Sequence, residues 1–149
     1  YNSLANTDDG SCVYAQEGYD CEGNVLPQIG DFHAGGIVFQ INTDGTGLVA
    51  DLQNLGQMDW YAAIYVAESF TPQGYDDWYL PSIEELVLMY YTIGNGSSQG
   101  NIGGFEGDLY WSSSVDLNSG KASTVQFING LSELTYINSV QSVRIIRAF

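Results

Sequence analysis

Apolar residues recur with helical spacing in two parts of the chain, and with the spacing of strands through most of the rest. Ile83, Leu86, Val87, Met89 and Tyr90 fall on one face of a helix and predict one over 82–92. Its start is marked twice. Ser82 and Glu85 form an S-x-x-E capping box, and Pro81 pushes Leu80 toward an extended backbone. Glu84 and Glu85 also suit the positive end of the helix dipole, and Gly94 is a natural stop. An earlier helix is predicted over 57–70, with Met58, Tyr61, Ile64 and Tyr65 on its apolar face and Pro72 and Gly74 ending it.

Elsewhere the pattern is that of strands. Ile37–Ile41 and Thr46–Ala50 flank the turn Asn42-Thr43-Asp44-Gly45. Leu109–Val115, Ser123–Phe127, Glu133–Ile137 and Ser142–Ala148 are rich in Val, Ile, Thr, Tyr and Phe, with turns at Asn118-Ser119-Gly120 and Asn129-Gly130. Strands, two helices and then antiparallel strands predict an α+β fold. Residues 94–108 contain so many Gly, Asn and Ser residues that they predict a long exposed loop rather than an element.

Composition bounds the function. A chain of 149 residues with 44% hydrophobic and 13% aromatic residues suffices for one packed domain, 29–149, behind an acidic appendage and linker, 1–28. No apolar run is long enough to insert into a membrane. The chain begins at Tyr1 in mid-motif, without Met or a leader, as expected of a mature product or a fragment of something longer. The net charge is −15, and the basic residues are Lys121, Arg144 and Arg147 alone, which disfavours nucleic acid and anionic surfaces as partners. Such a surface keeps a protein soluble and also gathers divalent cations. Asn6, Asp8 and Asp9, next to Gly10, offer oxygens for calcium, but no Glu closes the pattern of an EF-hand; an Asx-turn explains them without metal, and no other cofactor is implied.

Asp76-Asp77-Trp78-Tyr79-Leu80-Pro81-Ser82 with Glu85-Leu86 resembles the hallmark of C-type-lectin-like domains in bacterial surface proteins, such as the C-terminal domain of collagen-like adhesins. Gly35–Phe39, Leu109–Ser114 and Val143–Phe149 match further motifs in the family's order. The resemblance implies a C-type-lectin-like fold whose last strand pairs with its first and whose ends are adjacent. It makes Trp78 and Trp111 core residues. Residues 6–12 are similar to an acidic Asp-Asp-Gly-Ser-Cys repeat of Gram-negative surface proteins, which implies an extracellular, cell-surface location beside neighbouring modules of one long chain. In that location Cys12 and Cys21 are expected to form a disulfide; the alternative is two free thiols, and without His the pair is no zinc site.

The candidate chemistry is that of a binder, not an enzyme. The oxidases that resemble this fold use an active-site cysteine pair, and no cysteine follows Cys21. His33 has no Ser or Cys partner of motif quality, Glu84 and Glu85 are explained by capping, and no nucleophile elbow, zinc-protease or phosphate-loop motif occurs. The calcium-chelating triplets of animal lectins are also absent. A ligand face is therefore expected from Asn95, Ser97, Ser98, Gln99 and Asn101 in the long loop, with Tyr110, Asp116, Asn118 and Ser119, which mix adaptable polar groups with rigid aromatic area. The expected ligand is an extracellular glycan or protein. The rival roles are a spacer bead in a surface filament and a retroelement-diversified binder. The second rests on the similarity of 110–149 to variable regions on this fold, with Asp116, Asn118, Ser119, Asn129, Tyr136, Asn138, Ser139 and Ser142 in the palette of diversified sites.

Overall fold

The computed structural model describes Gly18, Tyr19 and residues 25–149. The Cys12–Cys21 pair and the Asn6, Asp8 and Asp9 loop lie outside the described residues.

The domain is α+β, with two helices and two antiparallel-dominated sheets. Its strands are β1 (Phe32–His33), β2 (Gly36–Ile41), β3 (Gly47–Ala50), β4 (Gln57–Met58), β5 (Leu109–Asp116), β6 (Lys121–Gln126), β7 (Ser132–Tyr136), β8 (Gln141–Ser142) and β9 (Ile146–Ala148). The helices are α1 (Trp60–Ser69) and α2 (Ile83–Thr92). One sheet has the order β1-β2-β3-β9, the other β4-β8-β5-β6-β7.

The closing strand differs from the expectation in two ways. β9 pairs with β3, through Leu48–Ala148, Val49–Arg147 and Ala50–Ile146, rather than with β2. The free edge of β2 is taken by β1 in a tight hairpin. Residues 142–148 are also not one strand. Ser142 pairs with Tyr110 in the second sheet, and the chain then crosses through Val143–Ile145 into the first. The ends of the domain do meet. The His33 and Phe149 rings stand edge to face with centroids 4.6 Å apart. Arg147 makes a bidentate pair with Asp77 at 2.6 and 2.9 Å, donates to the Ala34 carbonyl at 2.8 Å and lies over the Tyr75 ring. The aspartate of the aromatic-rich stretch is thus clasped to the C-terminal strand. That pairing holds the Asp77 carboxyl below its ordinary range.

Helix α2 follows its sequence signals closely. Ser82 Oγ accepts from the Glu85 N–H, and the Glu85 carboxylate accepts from the Ser82 N–H at 2.7 Å. Ser82→Ala is expected to cost about 1 kcal/mol, as loss of an N-cap does; an unchanged chemical-denaturation midpoint would show that Ser82 is not the cap. Helix α1 is rotated from its predicted face. Trp60, Ala63 and Ala67 are buried, whereas Tyr61 and Tyr65 are 60% and 71% exposed. Trp60 sets that rotation: its Nε1 donates to the Ser112 carbonyl at 2.8 Å, which docks the helix on β5. Asp59 caps α1 by accepting from the Ala62 N–H.

Strand β5 runs between two apolar clusters, and its alternation feeds both. Trp111 joins Trp60, Ala63, Trp78, Val143 and Ile145. Tyr110 joins Leu86, Met89, Phe105, Val125 and Phe127 on the α2 side. Trp78 and Trp111 are buried, as the resemblance implies.

Candidate functional site

The residues expected to share a ligand face are divided by β5. Leu109 pairs with Gln126 at one end of the β5–β6 hairpin, and Asp116 with Lys121 at the other. Seven residues of extended chain span about 23 Å, so the 94–108 segment and the 116–119 turn stand at opposite ends of the hairpin.

The 94–108 segment is also not an open loop. Asn95 Nδ2 donates to the Phe127 carbonyl, and the Asn101 amide brackets Phe105 by accepting from its N–H and donating to its carbonyl, at 2.9 and 2.6 Å. The Gly103 N–H reaches the Ile93 carbonyl at 2.7 Å, and Phe105 is buried. These amides are committed to the fold. Ser98 and Gln99 remain exposed, while Ser97 Oγ accepts from the Gln99 N–H. Tyr110 is fully buried and cannot touch a ligand: its hydroxyl donates to Asn54 Oδ1 and accepts from the Glu106 N–H, and burial raises its pKa.

The anchor of this segment is Arg144, which carried no expectation. It is buried, donates to the carbonyls of Asp51 and Gly103 at 2.7 and 3.0 Å and to Asn54 Oδ1 at 3.0 Å, and lies over the Phe105 ring. The available signal was a charge inside the apolar run Val143–Ile146. Asp51 sits beside it with Oδ1 accepting from the Leu52 N–H and Oδ2 buried without a partner. Burial raises the Asp51 pKa, and the attraction of Arg144 only partly opposes this. A raised carboxyl binds its proton more tightly in the folded state. Its stabilising contribution is therefore full below the unfolded value of about 3.9 and is lost as pH rises through the folded value. Asp51→Asn should flatten that fall: the melting temperature of the variant minus that of the parent should be more positive at pH 7 than at pH 4.

An open cleft lies at the other end of the hairpin. It has a volume of about 500 Å³ and is lined by Asp59, Tyr61, Gly120, Tyr136, Ile137 and Asn138. Three elements meet there through the backbone: the Ile137 N–H donates to the Gly120 carbonyl, and the Trp60 N–H to the Ile137 carbonyl. Tyr61 and Tyr136 are exposed, and Lys121 Nζ stands 4.7 Å from the centre of the Tyr136 ring. Arg144 and Arg147 are 1% and 8% exposed, so Lys121 is the basic side chain available to solvent. The adjoining turn is ordered by Asp116, whose Oδ1 accepts from the Asn118 N–H, while Ser119 Oγ donates to the Asp116 carbonyl. Hydrogen bonds from Ser119 and Asn118 hold the Asp116 carboxyl below its ordinary range. Gly120 of this turn lines the cleft, as do Tyr136 and Asn138 of the palette; Asp116, Asn118 and Ser119 are not among its lining residues, and Ser142 is buried and donates to Asp108. Tyr61 escaped sequence reasoning because helical spacing alone placed it in the core.

Among the described residues no three His, Cys, Asp or Glu side chains converge in a way that could hold a metal ion. No helix among them is long and apolar enough to cross a membrane. No protein-family model matches the chain, and no curated protein sequence matches it.

Proposed function

We propose that this chain is a non-catalytic, extracellular recognition module of the C-type-lectin-like kind, carried on the surface of a Gram-negative bacterium, and that it binds a neutral glycan or a protein patch in the Tyr61–Tyr136 cleft. The observation that carries this reading is the cleft itself. Two exposed phenol rings offer rigid apolar area, and the Asn138 amide and Asp59 carboxylate offer a few polar contacts beside them, which is the usual make-up of a small binding site. The net charge of −15 repels sulfated or phosphorylated ligands and favours neutral or cationic ones.

Adjacent domain ends support display over spacing. The His33 and Phe149 rings are in contact, and a module whose ends lie together adds little length to a stalk. The Asp77–Arg147 clasp supports the family reading, because it joins two of the four stretches that carry the resemblance.

A screen of uncharged glycans and of cell surfaces tests the proposal. Replacing Tyr61 and Tyr136 together by Ala should abolish attachment to the partner found while leaving the melting curve within about 0.5 kcal/mol of the parent, since both rings are largely exposed. A partner whose affinity ignores the double variant would place binding elsewhere.

A further inference from the structure

Strand β7 forms one edge of the five-stranded sheet. Hydrogen bonding between β6 and β7 is fixed at both ends of the pair: the Gln126 N–H donates to Leu131, and the Ile137 N–H to Gly120. Between them the register is continuous from Val125–Ser132 to Lys121–Tyr136. Hydrogen-bonded positions alternate in an antiparallel pair, so Leu131, Glu133, Thr135 and Ile137 face β6, while the backbone groups of Ser132, Leu134 and Tyr136 point away from it. β7 ends the sheet order, so among the described residues those groups have no strand partner. Among the described residues one backbone bond reaches that edge, and it is local, from the Ser139 N–H to the Tyr136 carbonyl. Leu134 and Tyr136 are also 58% and 59% exposed. Natural sheets guard such edges with bulges, prolines, brevity or charge; β7 has no bulge or proline, and its one charge is the exposed Glu133.

We propose that β7 accepts an extended segment of another protein as a sixth, antiparallel strand, and that this segment alternates basic and apolar residues. The backbone supplies donors and acceptors at Ser132 and Leu134 and a donor at Tyr136, which is how added strands gain affinity. The side chains set the pattern. The residue facing Glu133 lies on its face of the sheet at the close, non-hydrogen-bonded spacing, where an opposite charge stabilises and a like charge does not. The residue facing Leu134 meets an exposed apolar side chain. The net charge of −15 favours the same basic partner and opposes a second copy of this chain, which would set Glu133 and the whole acidic surface against its own kind.

An eight-residue peptide alternating Lys and Val tests the proposal, with binding measured by calorimetry on the full chain. A version N-methylated at every second amide, so that its edge donors are lost, should bind at least tenfold more weakly. Leu134→Pro should have the same effect on the unmodified peptide while leaving the circular dichroism unchanged, because the Leu134 N–H points away from β6 and an edge strand tolerates proline there. Glu133→Lys, which leaves the backbone intact, should weaken the Lys-Val peptide at least tenfold and strengthen a Glu-Val peptide. Equal binding of the N-methylated peptide would reduce the effect to charge adsorption and overturn the proposal. So would the absence of Lys-Val binding by a chain that dimerises in sedimentation and loses its dimer with Leu134→Pro, because the occupant would then be a second copy.

Discussion

Replacing Arg144 by Ala is expected to lower stability by about 3–5 kcal/mol, since truncating it leaves the buried carbonyls of Asp51 and Gly103 unpaired at roughly 1–3 kcal/mol each. The guanidinium bonds the carbonyls of Asp51 and Gly103, reaches the Gly104 carbonyl at 3.3 Å and shares Asn54 Oδ1 with the Tyr110 hydroxyl. It also covers Phe105, so the loss is one of packing as well as charge. Set against a total stability of about 5–15 kcal/mol for an ordinary domain, this is a large fraction. The effect should be spatially uneven. Amide exchange should accelerate first at Gly103–Phe105 and at 51–56, the stretches that Arg144 joins. Arg144→Lys should recover only part of the loss, because an ammonium cannot span acceptors that a planar fork reaches together. A variant that melts like the parent would mean that the 94–108 segment is held by Asn95, Asn101, the Gly103–Ile93 bond and buried Phe105 without Arg144.

Trp111→Ala is expected to cost a similar amount, about 3–5 kcal/mol, the usual range for deleting a buried indole. Trp111 has no exposed surface and fills the space between β5, α1 and the crossing at Val143–Ile145. Its Nε1 donates to the Met58 carbonyl at 2.9 Å, just before the Asp59 cap of α1. The deletion therefore opens a cavity and frees the start of α1 together. Tyr61, which projects from that first turn, should lose its fixed position, so a ligand of the cleft should bind more weakly to the folded fraction too. Trp111→Phe should retain most of the packing and lose only the bond to Met58. Calorimetric melting of both variants separates the two contributions.

These expectations depend on features that the sequence displayed unequally. Helix α2 was legible to the residue because its signals are local: a serine cap, a glutamate three positions on, and apolar spacing behind them. The hairpin of β5 and β6 was legible for the same reason, with Asn118–Gly120 marking its turn. The rotation of α1 was not, because Tyr61 and Trp60 are both large and aromatic, and only the Ser112 carbonyl 52 positions away selects which one faces inward. Tyr110 and Trp111 show the same limit. Alternation places them on opposite faces of β5, but only tertiary packing tells that both faces are covered. The split of 142–148 between two sheets and the Arg144 anchor likewise depend on partners distant along the chain. Residues 94–108 misled by composition: glycine and asparagine, which serve an open loop, serve equally well a chain of tight turns closed by Asn95 and Asn101.

The central claim is that recognition takes place at the end of the β5–β6 hairpin that carries the cleft, rather than at the end that carries 94–108. Amide chemical-shift mapping by NMR, with the partner from the glycan and cell-surface screen titrated into the labelled chain, tests it most directly. The account predicts shifts concentrated at 59–61, 116–121 and 136–138, with Ser98 and Gln99 unmoved. Shifts confined to 94–102, or spread evenly over the surface, would contradict it.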